Sequence, residues 1–524
     1  MTGSIRDRSE AARTVLTFAA MLADAPIGGV SLVDGVAGVL GAEAPTLVAE
    51  ALDELDKHGL IRRVPDTRPQ SWQVPPQVAK AVRREADQVL MAALAERAAR
   101  ILTKELAGAS LDACAHAVEV ARNPTVALDN RLALLRAASA LHEDNGNMVA
   151  SWNIRDLAVQ TAGKNGPIQD VQAAARLAVT AGGADVALRQ AKSLIERALA
   201  ERDVHAEFEA RLIAATAHDV LGEYPAADRV FHQHALIREH GPIPLWLSEV
   251  DCHRAGLARV RALRLRGQYR AARQVAGTLD RTQSGGAVEL ARLHLVDGEF
   301  IEARTTARAV AWTARNQLAR EAAVVLAEAE VALAFPEMRA RPEGWLLATE
   351  QLRRALADSA AGHGIDDLLT LELMLLRGQA LSNSGEHGGA LAVLSQAERR
   401  IAAVLGADHP FHLRARQWTG LVLMGRHDWA AAAGIFEWLL PRQVAVLGRC
   451  HPESELTRFQ LGMCLLRRNN VRSAKPLLDE AALVLREQHG PLRQWTSVAE
   501  SGRLLTRVPG PLRRWVNLLD KARG

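Results

Sequence analysis

Two hinge-like stretches near the C-terminal end, LGADHP at residues 405–410 and LGRCHP at residues 447–452, lie 42 positions apart and agree at four of their six residues. The residues around them keep the same offset: Gly378, Gly420 and Gly462 form one column, Ala390, Ala432 and Ala474 another. In each hinge a glycine that can take positive φ ends one helix, and a proline whose fixed φ suits a first turn starts the next. A 42-residue unit of two helices cannot bury its apolar face alone, so units must stack. The expected architecture is a solenoid.

The rest of the chain extends that period upstream. At 524 residues it is long for a single compact core, and 48% of it is hydrophobic but only 4% aromatic, which favours an all-α chain over a sheet-rich one. Each hairpin turn carries Gly or a polar residue, an apolar or aromatic residue two positions on, and Ala three further. The pattern reads Gly222, Tyr224, Ala227; Gly267, Tyr269, Ala272; and Gly298, Phe300, Ala303. Weaker forms begin at Glu343, Gly385, His427 and Asn469, and end at Ala348, Ala390, Ala432 and Ala474. The only two tyrosines, Tyr224 and Tyr269, share a column. The alanine is expected where two helices cross closely, with the aromatic filling the gap between hairpins.

The first 84 residues follow another pattern. Ser9 is a fitting N-cap for a helix carrying Val15, Phe18, Ala19 and Leu22, which Pro26, Gly28 and Gly29 stop. A short helix over residues 31–40 leads to a third, from about Ala44 to His58, and then to two short strands, LIRRV and SWQVP. Three helices and a hairpin make a winged helix. Its third helix would have to approach phosphate, yet carries Glu43, Glu50, Asp53, Glu54 and Asp56 against Lys57 alone. Nucleic acid is therefore not the expected partner, although Arg62, Arg63 and Arg68 flank the wing. A helix from about Val78 to Leu106 connects this block to the repeats.

The hairpin signature resembles the tetratricopeptide repeat over residues 110–490, and the last three units resemble its longer, kinesin-light-chain-like form, in which LG-x-x-HP marks unit boundaries. The block from Arg6 to Arg84 is similar to the winged helix that follows the nucleotide-binding domain of NB-ARC-type signal-transduction ATPases. Those proteins carry a P-loop, whereas no G-x-x-x-x-G-K-[ST] occurs in this chain. The resemblance implies a right-handed superhelix with an inward face at Leu375, Gln379, Ser382, Asn383, Arg414, Gln417, Leu421, Met424, Phe459, Met463 and Arg467. The candidate groove is Gln379, Asn383, Arg414, Gln417, Met424, Phe459, Met463 and Arg467, which together could hold a peptide by its backbone, carboxylates and an apolar anchor.

Chemistry is not expected. His232 and His234 point about 200° apart on a helix and His240 has no fixed relation to them, so no metal set forms. Cys114, Cys252, Cys450 and Cys464 lack paired spacing, which fits a reducing cytoplasm. No G-x-S-x-G or H-E-x-x-H occurs. His409 and His451 are assigned to bonding a neighbouring helix end. No apolar run approaches the roughly 20 residues of a membrane span.

Charge separates the regions. Residues 1–107 hold 13 Lys or Arg against 14 Asp or Glu, while residues 491–524 hold seven against two. The basic tail, with Trp515, Leu518 and Leu519 on one face, is expected to cap the last repeat; an acidic membrane surface is its alternative.

The expected organisation is a winged helix over residues 1–84, a connecting helix over 85–110, repeats over 111–490 with 365–490 in the clearest register, and capping helices over 491–524. The expected function is non-catalytic: a cytoplasmic protein- or peptide-binding sensor or scaffold in bacterial signalling, needing no cofactor or metal. The alternatives are a DNA-binding regulator and the sensor arm of a nucleotide switch whose ATPase lies elsewhere. Oligomeric state is left open.

Overall fold

The computed structural model describes residues 7–22, 24–65, 70–108, 111–163, 166–233, 248–279, 284–313, 317–336, 338, 342–489 and 503–504. Contacts divide the chain into two units, Met1–Ala181 and Gly182–Gly524. His234, His240 and the tail beyond residue 504 lie outside the described residues, as does the side chain of His232.

In the first unit, α1 (Glu10–Met21), β1 (Ile27–Gly28), α2 (Gly29–Leu40), α3 (Ala44–Lys57), β2 (Arg62–Val64) and β3 (Ser71–Gln73) precede α4 (Pro76–Glu85) and α5 (Gln88–Ala107). Ser9 caps α1 as its sequence position implies: its Oγ accepts the Ala12 N–H at 3.1 Å and donates to Glu54 of α3 at 2.7 Å. Phe18, Leu16, Leu32, Val36, Val48, Leu55 and Trp72 fill the core between the three helices and the sheet. Gly35 is required by space, since a Cβ there would meet the Phe18 ring at 2.2 Å.

Two features depart from the sequence reading. The sheet has three antiparallel strands in the order β1-β3-β2, because Ile27 and Gly28 pair with Trp72 and Ser71. The single helix expected over residues 78–106 is two. Ala86 is extended, with φ −68° and ψ 146°, and Asp87 recaps the chain by accepting the Val89 N–H at 3.0 Å. The unit continues through α6 (Asp112–Arg122), α7 (Leu128–Asp144), α8 (Met148–Ala162) and α9 (Ile168–Thr180), and the contact boundary falls at residue 181.

The second unit opens with α10 (Ala184–Glu201) and then forms seven hairpins. They are α11 (Val204–Val220) with α12 (Tyr224–Gln233), α13 (Glu249–Leu265) with α14 (Tyr269–Ala276), and α15 (Ser284–Asp297) with α16 (Phe300–Thr313). There follow α17 (Gln317–Ala334) with α18 (Pro342–His363), α19 (Leu368–Asn383) with α20 (His387–Leu405), α21 (Pro410–Gly425) with α22 (Trp429–Leu447), and α23 (Pro452–Arg467) with α24 (Val471–His489). The all-α solenoid is thus present, and its turns are those of the sequence pattern: Gly222, Gly267, Gly298, Gly385, His427 and Asn469 all have positive φ.

The alanines of the repeat are fully buried from Ala227 to Ala474, apart from Ala348, which is nearly so. The glycine column has a packing cause. A Cβ on Gly378, Gly420 or Gly462 would meet Leu394, Phe436 or Leu478 of the second helix at 2.6, 2.6 or 2.8 Å. Each large side chain drives into the bare backbone of its partner helix and fills the hairpin core.

Two stretches, Ser31–Lys57 and Trp429–Leu447, are long and apolar enough to cross a membrane by length and composition, contrary to the expectation that no run approaches such a length. Gly41, at φ 73°, breaks the first between α2 and α3, and the second is α22, whose Phe436 and Leu439 lie in the hairpin core.

Candidate functional site

The solenoid's path returns on itself after five hairpins. The hinge before α21 meets the turn after α11, and the hinge before α23 meets the turn after α13. His409 Nδ1 accepts the Phe411 N–H at 3.1 Å, which caps its own helix and fixes the ring proton on Nε2. That Nε2–H donates to the last carbonyl of α11, Val220, at 2.8 Å. His451 repeats the arrangement, accepting from Glu453 N–H at 3.2 Å and donating to Leu265 O, the last carbonyl of α13, at 3.0 Å. Beside each imidazole a proline ring rests on a glycine, Pro410 on Gly222 and Pro452 on Gly267. The helix end assigned to these histidines is real, but it lies 189 and 186 residues away.

Inside this closed turn the first helices present charged groups to one another. Arg264 of α13 pairs with Glu289 of α15 at 2.8 Å, Arg292 of α15 with Glu372 of α19 at 3.1 Å, and Arg414 of α21 with Glu453 of α23 at 2.5 Å. These pairs share one space, because Arg264, Arg292, Arg414, Glu372 and Glu328 act on one another's charge, and Tyr224 and Tyr269 feel Arg414 and Glu453. Arg414 keeps 39% of its side chain accessible, so the lumen is wet.

Burial in this space shifts the groups. Burial opposes ionisation of Glu289, yet Arg264, Arg292 and Arg261 together hold its carboxyl at about 2. Glu328 goes the other way: burial, then the neighbouring Glu372, push its pKa up. Burial also raises Tyr269 to about 12. Neither Glu321 nor Glu328 makes an ion pair among the described residues, while Arg264, Arg292 and Arg414 each carry a carboxylate partner. Arg261, also without an ion pair among the described residues, acts on Glu321 and Glu289, which leaves Glu328 as the lumen carboxyl whose burial is least compensated.

The groove residues inferred from the sequence divide into three groups. Arg414 is held by Glu453, and Gln417 donates to Gln460 at 3.1 Å with both amides buried. Met424, Phe459 and Met463 pack against the core formed by Leu413, Phe436 and Leu461, and Arg467 lies over the Trp429 ring at 5.6 Å. Gln379 and Asn383 remain half-buried on α19 without a hydrogen-bond partner among the described residues. The sequence reading missed Arg264, Glu289, Arg292, Glu321, Glu328 and Glu372. A signal existed, since Glu289 with Arg292, and Glu321 with Glu328, stand three and seven positions apart and so share a helix face.

Other chemistry is poorly served. His205, Glu209 and Asp251 bring three ligand atoms within 4.8 Å, but Arg254 occupies both Glu209 oxygens at 2.6 and 3.0 Å, where a cation would have to sit. Cys464 is buried and its thiol is pushed up to about 12, so it is a poor nucleophile.

No protein-family model and no curated protein matches the chain. Among solved structures it is similar to a putative kinesin light chain with nearly identical TPR-like repeats from Podosopora anserina, at 19% identity over 40% of this chain and 97% of that one, with a TM-score of 0.30. It is similar also to a Rap protein complexed with competence and sporulation factor, at 11% identity over 65% and 97%, with a TM-score of 0.41. A third likeness is a signal-transduction ATPase with a tetratricopeptide repeat sensor from Pyrococcus horikoshii, at 12% identity over 96% and 66%, with a TM-score of 0.33. The neighbours are TPR-like repeat proteins.

Proposed function

We propose that the chain is a non-catalytic binding protein that takes an extended protein or peptide segment into the lumen of its second unit, as a sensor or scaffold. The observation that carries this reading is the convergence of polar groups from successive first helices on one wet, walled space. The chemistry of that space favours a basic segment. The three lumen arginines that form ion pairs are already neutralised, Arg261 offsets Glu321, and Glu328 has no ion-pair partner among the described residues, so a Lys or Arg entering beside Glu328 would relieve its unfavourable burial. Gln379 and Asn383 would bond the segment's backbone.

Selection from a displayed peptide library on the full chain tests this. Selected segments should be rich in Lys and Arg, and Glu321→Gln with Glu328→Gln should weaken them about tenfold, a change near 1.4 kcal/mol. An acidic or charge-neutral selection, or unchanged affinity in a variant of intact helicity, would overturn it. The pair Gln417 and Phe459 is a poor test site, since both are part of the packing.

For the first unit we propose a winged-helix identity for residues 1–84, supported by three helices around a β1-β3-β2 sheet. Its third helix exposes Glu50, Asp53 and Asp56, and Glu54 is drawn into bonds with Ser9 and Arg8. An acidic outward face repels phosphate, so the module serves as a packing or docking element rather than a DNA reader. In a gel-shift series with the full chain, little binding is expected at moderate salt; tight, strongly salt-dependent binding would reverse this assignment.

A further inference from the structure

The two histidine clips are hydrogen bonds that join the first two hairpins of the solenoid to the last two. Each is a single imidazole bridging two helix ends with both ring nitrogens engaged: Nδ1 must accept and Nε2 must donate. A doubly protonated ring has no acceptor for the Phe411 or Glu453 N–H, so it would set one donor against another. We propose that these clips form an acid-released latch, which holds the solenoid's turn closed around the lumen when His409 and His451 are neutral and lets the two ends part when they are protonated.

The surroundings set the direction. Burial lowers the pKa of both rings, most strongly of all influences. Arg414 opposes protonation of each and His412 opposes that of His409, whereas the Val220 and Leu265 carbonyls that accept from Nε2 favour the protonated rings, and Glu453 favours that of His451. The bond that protonation removes is the one Nδ1 accepts from the Phe411 or Glu453 N–H. From the facing turns, Asp219 and Glu223 adjoin the Val220 carbonyl along the chain, and Arg264 and Arg266 adjoin that of Leu265. Tyr224 and Tyr269 stay neutral, being raised by burial. The closed state therefore binds protons less readily than the open one. Closure is complete above the ordinary histidine value of about 6.5 and is lost as pH falls below it toward the lowered values.

Proline seated on glycine makes the rest of each clip. Release at the two clips opens the lumen along its side. That this gap admits a segment rests on the binding function proposed above; the opening itself does not.

The test uses the full chain with spin labels at Arg270→Cys and at native Cys450, both exposed, and with Cys252→Ala. At pH 8 one narrow distance distribution is expected. At pH 5.5, with helicity retained by circular dichroism, the mean should lengthen by on the order of 5 Å, a helical turn or more. His409→Asn with His451→Asn keeps a side chain able to cap each helix but removes the reach to Val220 and Leu265. This variant should show the long distance at both pH values. An unchanged distribution in the wild-type chain at pH 5.5, or a closed Asn variant at pH 8, would overturn the latch. If the wild-type chain loses helicity at pH 5.5, the Asn variant at pH 8 decides between the two outcomes. No ligand enters these measurements, so they stand or fall independently of peptide selection.

Discussion

Four glycine turns of the solenoid look alike from inside the hairpin. Gly222, Gly267, Gly298 and Gly385 have φ of 75°, 71°, 77° and 82°. They differ in what lies outside. A Cβ would meet Pro410 Cδ at 2.3 Å on Gly222 and Pro452 Cδ at 2.2 Å on Gly267, but nothing within 4 Å on Gly298 or Gly385. Two further turns of the same series dispense with glycine, at His427 with φ 62° and Asn469 with φ 65°. The hairpin therefore asks only for a left-handed residue. The missing side chain is demanded by a partner nearly 190 residues away.

The largest effect should separate docked from undocked turns. Gly267→Ala combines left-handed strain of about 1 kcal/mol with displacement of the Pro452 ring and loss of the His451 clip, for a total of roughly 3 kcal/mol. Gly298→Ala carries the strain alone, about 1 kcal/mol. Urea unfolding of the two variants checks this, and equal losses would mean that the contact between Pro452 and Gly267 contributes nothing in solution.

A smaller effect concerns the charges inside the closed turn. Glu289 has a folded pKa of about 2, below its ordinary value near 4.3, so it stabilises the fold fully above that ordinary value and progressively less as pH falls toward 2. Glu289→Gln should flatten stability against pH between about 4.3 and 2, and should leave the response between pH 8 and 5.5 to the two histidines. A variant whose response near pH 6 also vanished would show that the lumen charges, and not the clips, respond to mild acid.

What the sequence disclosed was whatever repeats or caps locally. The columns at Ala390, Ala432 and Ala474 and at Gly378, Gly420 and Gly462 appear because the same crossing recurs every 42 residues, and Ser9, Pro410 and Pro452 act within a turn of their own helices. Closure of the turn left no such trace, since Val220 and Leu265 contribute only backbone carbonyls. β1 is two residues long, too short for an alternation to register, and its partner Trp72 lies in another segment. The break at Ala86 was signalled only by Asp87, a cap inside an otherwise unbroken helical pattern. The groove was half visible: register placed Gln417 and Phe459 on a first helix, but did not tell that Gln460 and the neighbouring core would engage them.

The smallest effects belong to the turns without glycine. Replacing Asn469 by glycine relieves little strain, because asparagine tolerates the left-handed region, and it adds about 0.4–1 kcal/mol of conformational freedom to the unfolded chain. His427→Gly relieves more but also removes a ring that sits 5.5 Å from Trp429, worth roughly 0.5 kcal/mol. Neither variant should gain more than about 0.5 kcal/mol in thermal or urea unfolding, since relief and loss offset each other. A gain above about 1.5 kcal/mol in either would mean that left-handed strain at a bare turn is borne in full. The excess loss expected at Gly267 over Gly298 would then still measure the docked proline, because both glycines start from the same φ and only one of them faces it.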